Sequence, residues 1–209
     1  MAFFPRKPGA SPSRTVPRPV LARVASWGCV SVAFLLVVAA AVAHAQSLVS
    51  EYAVKAAYLF DFGKFVRYTS SGGHNQNPTF DICILGQNPF GHTLADLTAN
   101  EKLDGKPVRV LRVQTIEQAR ECSIAYLSAS ERGRMAHDLD ELRGQQVLTV
   151  SDSSHFLQKG GIIQFVTVGD HVRFAVNLNA AHKAQLSLSS ELLKVAISVQ
   201  GNQAAGVRP

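Results

Sequence analysis

The run Ser151-Asp152-Ser153-Ser154-His155 puts a hydroxyl nucleophile, a carboxylate and an imidazole in one short segment. These are the side-chain types from which acyl-transfer sites are assembled. The segment follows an apolar β-branched stretch, so it would lie at the carboxyl end of a strand, where open α/β sheets usually carry their sites. Two features argue against turnover. Neighbours in one loop rarely line up as nucleophile, base and orienter, and no G-x-S-x-G elbow precedes these residues. A turn rich in Asx and Ser caps accounts for them without chemistry. We therefore assign no catalytic residue and read the chain as a non-enzyme.

The histidines offer a second chemistry. His44, His74, His92, His137, His155, His171 and His182 never fall at H-x-x-x-H or H-x-H spacing, so no sequence-local metal site is expected, and no cofactor. Gly86-Gln-Asn-Pro-Phe-Gly91 follows one strand and precedes a helix, where phosphate loops sit. It matches neither G-x-G-x-x-G nor G-x-x-x-x-G-K-[ST]. A helix N-terminus can still hold an anion, which keeps a small-ligand-binding sensor module as the alternative reading.

The elements that must position these residues alternate. The stretch Leu48 to Tyr68 is Ala-rich, free of proline and too long for a strand, and reads as a helix capped near Ser50. Its charges scatter around the helical wheel, so it needs cover on more than one side. Tyr58, Phe62 and Phe65 form one aromatic stripe, and Tyr52, Leu59 and Val66 line another. Either both stripes are core or one of them meets a partner. A polar Gly-rich loop, Ser70 to Pro78, follows.

Next come a strand (Phe80 to Leu85), a short helix (Pro89 to Thr98), a strand (Val108 to Val113) and a helical turn (Thr115 to Glu121). A strand (Cys122 to Leu127), a helix (Glu131 to Leu142) and a strand (Gln146 to Val150) continue the rhythm. Ile162 to Val168 and Val172 to Leu178 flank Gly169-Asp170, the signature of a hairpin. A last helix runs from Ser190 to Val199. This order specifies an α/β fold: one domain with a mainly parallel sheet of about five to six strands, a β-hairpin at one edge and helices on its faces. If the first strand neighbours the third, as in flavodoxin-like order, Cys83 and Cys122 come close enough to bridge across the sheet.

Charge and leader narrow the partner classes. Residues 1–45 hold Arg6, Lys7, Arg14, Arg18 and Arg23, no acid, and an apolar core from Val30 to Val42 that ends in Ala43-His44-Ala45. That is the tripartite form of a signal peptide cleaved near Ala45, leaving residues 46–209 as the mature domain in the periplasm. An uncleaved anchor is the competing reading, since the apolar stretch counted from Val24 approaches a bilayer's thickness. Of 21 Lys and Arg, the leader takes those five, so the mature chain is nearly neutral where the whole chain carries +6. Nucleic acid is thereby disfavoured as a partner, because phosphate backbones need a clustered cationic surface. Cys83 and Cys122 remain after cleavage, in a compartment where disulfides persist, and a pair is expected, with two buried thiols as the alternative.

Several blocks carry a resemblance. They are Lys55-Ala-Ala-Tyr-Leu-Phe60 with Lys64-Phe-Val66, Ile82-Cys-Ile-Leu-Gly86 with Pro89-Phe-Gly91, Leu148-Thr-Val-Ser-Asp152, Gly160-Gly-Ile-Ile163 and Val172-Arg-Phe174. Asn177, Ala180-Ala181, Leu186, Ser189-Ser190 and Leu192-Leu193 continue the series. In order and spacing they resemble the YfiR family of exported proteins over nearly all of residues 50–200. The resemblance implies a periplasmic regulator without catalytic activity. Such a protein binds the periplasmic domain of a membrane-bound diguanylate cyclase of the YfiN type and inhibits it, lowering cyclic di-GMP and restraining biofilm. It also implies redox control, with Cys83 and Cys122 at the positions of the family's cysteine pair; a second, C-terminal pair found in some members has no counterpart here. Tyr68-Thr69 replaces a common Trp-Pro element, and Ala175 stands where an acid often follows Val-Arg-Phe. Tyr58, Phe62 and Phe65 are the residues expected to meet the partner, and a homodimer is compatible with the same apolar face.

Overall fold

The computed structural model describes residues 51–68 and 77–201. The leader, the Ser50 cap and most of the Gly-rich loop lie outside them. Helix α1 occupies residues 51–65, and the chain passes directly into strand β1 (Val66–Tyr68). The alternating part then runs β2 (Phe80–Leu85), α2 (Thr93–Thr98), β3 (Lys102–Leu103), β4 (Lys106–Val113), α3 (Ile116–Ala119), β5 (Ile124–Leu127), α4 (Met135–Glu141) and β6 (Leu148–Ser151). It finishes with β7 (Ile163–Val168), β8 (His171–Asn177), α5 (Leu178–Lys183), β9 (Leu186–Leu188), α6 (Ser190–Val195) and β10 (Ser198–Gln200).

Eight strands form one sheet in the order β10-β8-β7-β6-β5-β2-β4-β3. The run β4-β2-β5-β6-β7 is parallel throughout and has the flavodoxin-like order, with the first strand of the alternation beside the third. β2 is buried along its whole length, as a central parallel strand covered on both faces must be. Its register against β4 puts Asp81 opposite Arg109, and the guanidinium clasps that carboxylate through Nε at 2.8 Å and Nη2 at 2.7 Å. The hairpin joins β7 and β8 antiparallel through Gly169-Asp170; Gly169 takes φ 62°, which glycine adopts without a Cβ penalty.

Two apolar layers sandwich the sheet. One gathers α1, α2, α5 and α6 over Ile82, Ile84, Ile124, Tyr126, Val150, Phe165 and Phe174. The other packs α3 and α4 onto Cys83, Leu85, Ala125 and Leu127. The alternation of Ile82 and Ile84 against Cys83 and Leu85 is the period-two geometry of a strand feeding both layers.

The fold class matches the expectation from sequence, with differences at the ends of elements. The sheet has eight strands, and β10 pairs parallel to β8, so the hairpin is one strand in from the edge. Residues 196–200 turn from helix to strand where apolar periodicity suggested continued helix. The third strand of the alternation starts at Ile124, two residues later than expected, which leaves Cys122 in the approach to it. Strands β1 and β9 pair antiparallel in a separate two-stranded sheet, beyond what the sequence suggested.

Candidate functional site

The leading helix is fixed to the sheet by a polar anchor as well as by its apolar faces. Lys55, 3% exposed, could not sit in this layer uncompensated. Its ammonium lies 2.7 Å from Oδ2 of Asp152, which follows β6, and 2.7 Å from Oε1 of Glu51 one helical turn earlier. Tyr52 donates its hydroxyl to the same Asp152 oxygen at 2.9 Å. Burial alone would push the Asp152 carboxyl up. The hydrogen bond from Lys55, its charge, and the hydroxyls of Tyr52 and Tyr126 outweigh this and hold it below the ordinary carboxylate value. The Tyr52 and Tyr126 phenols are pushed far up, by burial first and by Asp152 second.

This anchor disposes of the Ser151 to His155 segment as a nucleophilic site. Ser151 is fully buried and donates to the carbonyl of Leu127 at 2.6 Å, while its Oγ accepts from the Ser153 amide. Asp152 is turned toward α1. His155 is exposed, on a residue with φ 60°. The nucleophile, acid and base types therefore face three directions, as expected of a turn.

The glycine loop after β2 is equally committed. Asn88 accepts from the Phe90 amide at 2.9 Å and donates to Gly91 at 2.7 Å. The Gln87 amide donates to Ser130 at 3.0 Å. Gly86, at φ 90°, is approached so closely by Ser130 and Glu131 that a Cβ there would lie 2.3 Å from the Ser130 hydroxyl. At the sheet's switch point, where such folds bind ligands, the loop after β2 packs directly against Ser130 and Glu131 in the turn between β5 and α4. Of the histidines, His44 and His74 lie outside the described residues, and His92, His137, His155, His171 and His182 are exposed. Among the described residues no three His, Cys, Asp or Glu side chains gather as a metal site would need.

The aromatic stripe divides. Phe62 is 1% exposed. It stacks on Phe165 at 5.7 Å and meets Phe174 edge-on at 5.0 Å, two residues that are direct cross-strand partners in the hairpin. Its expected place in a partner interface is corrected by this packing: Phe62 is core. Tyr58 contacts the same hairpin rings, yet it and Phe65 are half-buried. With Val54, 43% exposed, they fall at i, i+4 and i+11 along the outward side of α1. The second stripe points inward, with Leu59 and Val66 fully buried.

Cys83 and Cys122 form a disulfide with Cα atoms 6.0 Å apart. It ties the middle of β2 to the turn that enters β5. Both residues are buried, on the face opposite α1. The residue after the bridge connects the two faces. The Ser123 carbonyl accepts from the Leu148 amide at 2.9 Å and from the Tyr68 hydroxyl at 2.9 Å, and Tyr68 ends the strand that continues α1.

With this geometry, the chain matches the YfiR/HmsC-like family over residues 52–197. The chain belongs to that family. YfiR/HmsC-like proteins are regulatory and not catalytic, and are associated with diguanylate cyclases. No curated protein matches the chain at a significant level. Among solved structures it is similar to a conserved domain protein from Vibrio cholerae O1 biovar El Tor, at 9% identity and TM-score 0.43, covering 58% of this chain and 55% of that one. It is also similar to an ABC domain in complex with L-Trp from Streptococcus pneumonia, at 10% identity and TM-score 0.43, covering 57% and 54%. The chain thus spans about half the length of each of these structures.

The blocks that carried the YfiR-like resemblance have mainly structural duties. Lys55 and Asp152 belong to two blocks separated by 97 residues and form the buried anchor. Asn177 caps α5 by accepting from the Ala180 amide, and donates to the Leu157 carbonyl. Ser189 caps α6. Gly161 lies so close to the Phe156 ring that a Cβ would approach it to 2.2 Å. Where the family often has Trp-Pro, Tyr68 supplies a hydroxyl to the bridged turn. Where an acid often follows Val-Arg-Phe, Ala175 is buried.

Proposed function

We propose that this chain is exported to the periplasm, with residues 1–45 as a signal peptide cleaved near Ala45. There it binds the periplasmic domain of an inner-membrane diguanylate cyclase and holds it inactive, lowering cyclic di-GMP. Family membership supports a regulatory role. The observation that carries the interface is the partly exposed apolar line Val54, Tyr58, Phe65 on a helix anchored to the sheet at one end by Lys55 and Asp152 and held at the other by the β1–β9 pair and the Tyr68 hydroxyl on Ser123. A rigid apolar helix face suits this task, because a brake must bind the silent cyclase more tightly than the active one. Redox sensitivity is part of the proposal. Opening the Cys83–Cys122 bridge would loosen the turn that receives the Tyr68 hydroxyl, and with it the end of α1.

The test uses a side chain that the core does not need. Val54→Arg should weaken binding to the periplasmic domain of a YfiN-type diguanylate cyclase that binds the wild-type chain by tenfold or more, about 1.4 kcal/mol, while thermal melting stays within about 2 °C of wild type. Undiminished affinity would remove α1 from the interface.

A further inference from the structure

At the amino ends of the parallel strands, remote from both the switch-point crevice and the outward side of α1, lies a cavity of about 110 Å³. Leu139, Val147 and Ile162 make the apolar part of its wall, and Thr149, Asn177 and Asn179 line the rest beside them. Its rim carries Arg143 after α4, Lys159 before β7 and Lys183 at the end of α5, and no acidic side chain lines it. Arg143 also pairs with Asp140. Lys159 and Lys183 have no ion-pair partner among the described residues, and Lys159 is half-buried.

Lys159 and Lys183, with Arg143 shared with Asp140 beside them, concentrate positive potential around one concavity. The carbonyl end of α4 opposes it with about half a charge, and only over the last turn, so the cations prevail. Water against the Leu139, Val147 and Ile162 part of the wall makes few hydrogen bonds and is readily displaced. If a water needs about 10–15 Å³ of such space, the cavity has room for about seven to eleven heavy atoms.

We propose that this cavity binds a small organic anion, its oxyanion head held by Lys159, Lys183 and Arg143 and its apolar body resting on Leu139, Val147 and Ile162. The site is independent of the cyclase interface. Its occupancy would be felt by α5, which leads into β9 and so into the strand pair that terminates α1.

Thermal melts of the protein purified from cells expressing the full chain test this, with phenyl phosphate, benzoate, inorganic phosphate and sodium chloride at matched ionic strength. At ten times its dissociation constant, an aromatic anion should raise the melting temperature by about 3–6 °C, saturably. A rise with benzoate alone assigns a carboxylate head, and one with phenyl phosphate alone assigns a phosphate head. The double variant Lys159→Gln, Lys183→Gln should fold and lose at least tenfold in affinity. Amide resonance shifts should cluster at residues 139–147, 159–162 and 177–184. The proposal is overturned if neither aromatic anion exceeds the chloride control up to about 10 mM, if the variant binds as well as wild type, or if the shifts lie elsewhere.

Discussion

Replacing Cys83 and Cys122 together by alanine removes a bridge between residues 39 apart in sequence. In the chain-entropy treatment, closing such a loop lowers the entropy of the unfolded chain by about 13 cal/mol/K, or about 4 kcal/mol at 25 °C. That is a large share of the roughly 5–15 kcal/mol by which domains are stable. For a domain of this size each kcal/mol moves the melting temperature by about 2–4 °C, so the double variant should melt about 8–16 °C lower. Alanine serves better than serine, because both sites are buried and an unpaired hydroxyl would add a desolvation cost of its own.

Melting should be followed by circular dichroism for the oxidised protein, the reduced protein and the double variant. A fall of less than about 3 °C would refute the loop-entropy reasoning. Burial adds a kinetic expectation. A thiolate reductant must reach sulfur atoms on residues that are 0% and 2% exposed, so reduction of the native protein has to wait for local opening and should be far slower than reduction in urea. Equal rates would show that the bridge is accessible without opening. Because Ser123 receives both the Leu148 amide and the Tyr68 hydroxyl, the reduced protein should also bind its cyclase more weakly, and equal affinity in both redox states would sever the bridge from α1.

Two further changes probe the anchoring of the leading helix. Asp152→Ala leaves the buried Lys55 with Glu51 alone and should cost about 3 kcal/mol in urea titrations at neutral pH; the folded-state value of Asp152 is depressed, so its contribution is complete above the ordinary carboxylate range near 4 and lost as pH falls through the depressed value, and the variant should lose less stability on acidification than wild type. Phe62→Ala should cost about 3–5 kcal/mol through the cavity left among Phe165, Phe174 and Tyr58, read as a lower urea midpoint with unchanged slope.

The alternation from β2 to β6 was legible because each element is long enough to show its period and is punctuated by Gly, Pro or Asx turns. The short strands were not. Val66–Tyr68 follows fifteen helical residues whose one local break signal, Gly63, is no stronger than the glycines helices commonly tolerate. Leu186–Leu188 and Ser198–Gln200 are each three residues, too few to display alternation. Their state is decided by tertiary pairing with β1 and β8, which local propensity does not encode. The stripe on α1 failed as a discriminator for a related reason. Tyr58, Phe62 and Phe65 are similar in type and spacing, and only the tertiary packing separates them: Phe62 lies nearer the Phe165–Phe174 pair than Tyr58 does and is fully covered. The anchor was missed because Lys55 and Asp152 are far apart in sequence. A lysine on a helix with no continuous polar face was the one available sign that a buried partner existed.

That distribution of duties bears on what family likeness can transmit. Lys55, Asp152, Asn177, Gly161 and Ser189 are an ion pair, caps and a close approach, so any chain that keeps them keeps the scaffold whatever it binds. On the proposed reading, partner choice would be written in side chains the scaffold does not fully enclose, Val54 and the half-buried Tyr58 and Phe65. Association loses little entropy when the presented face is already rigid, and α1 is fixed at both ends by contacts that are themselves structural. On the proposed reading, a buried bridge on the opposite face would reach the partner by the same route: loosening it need not remodel the interface, only release the turn at Ser123 to which the end of the helix is tied.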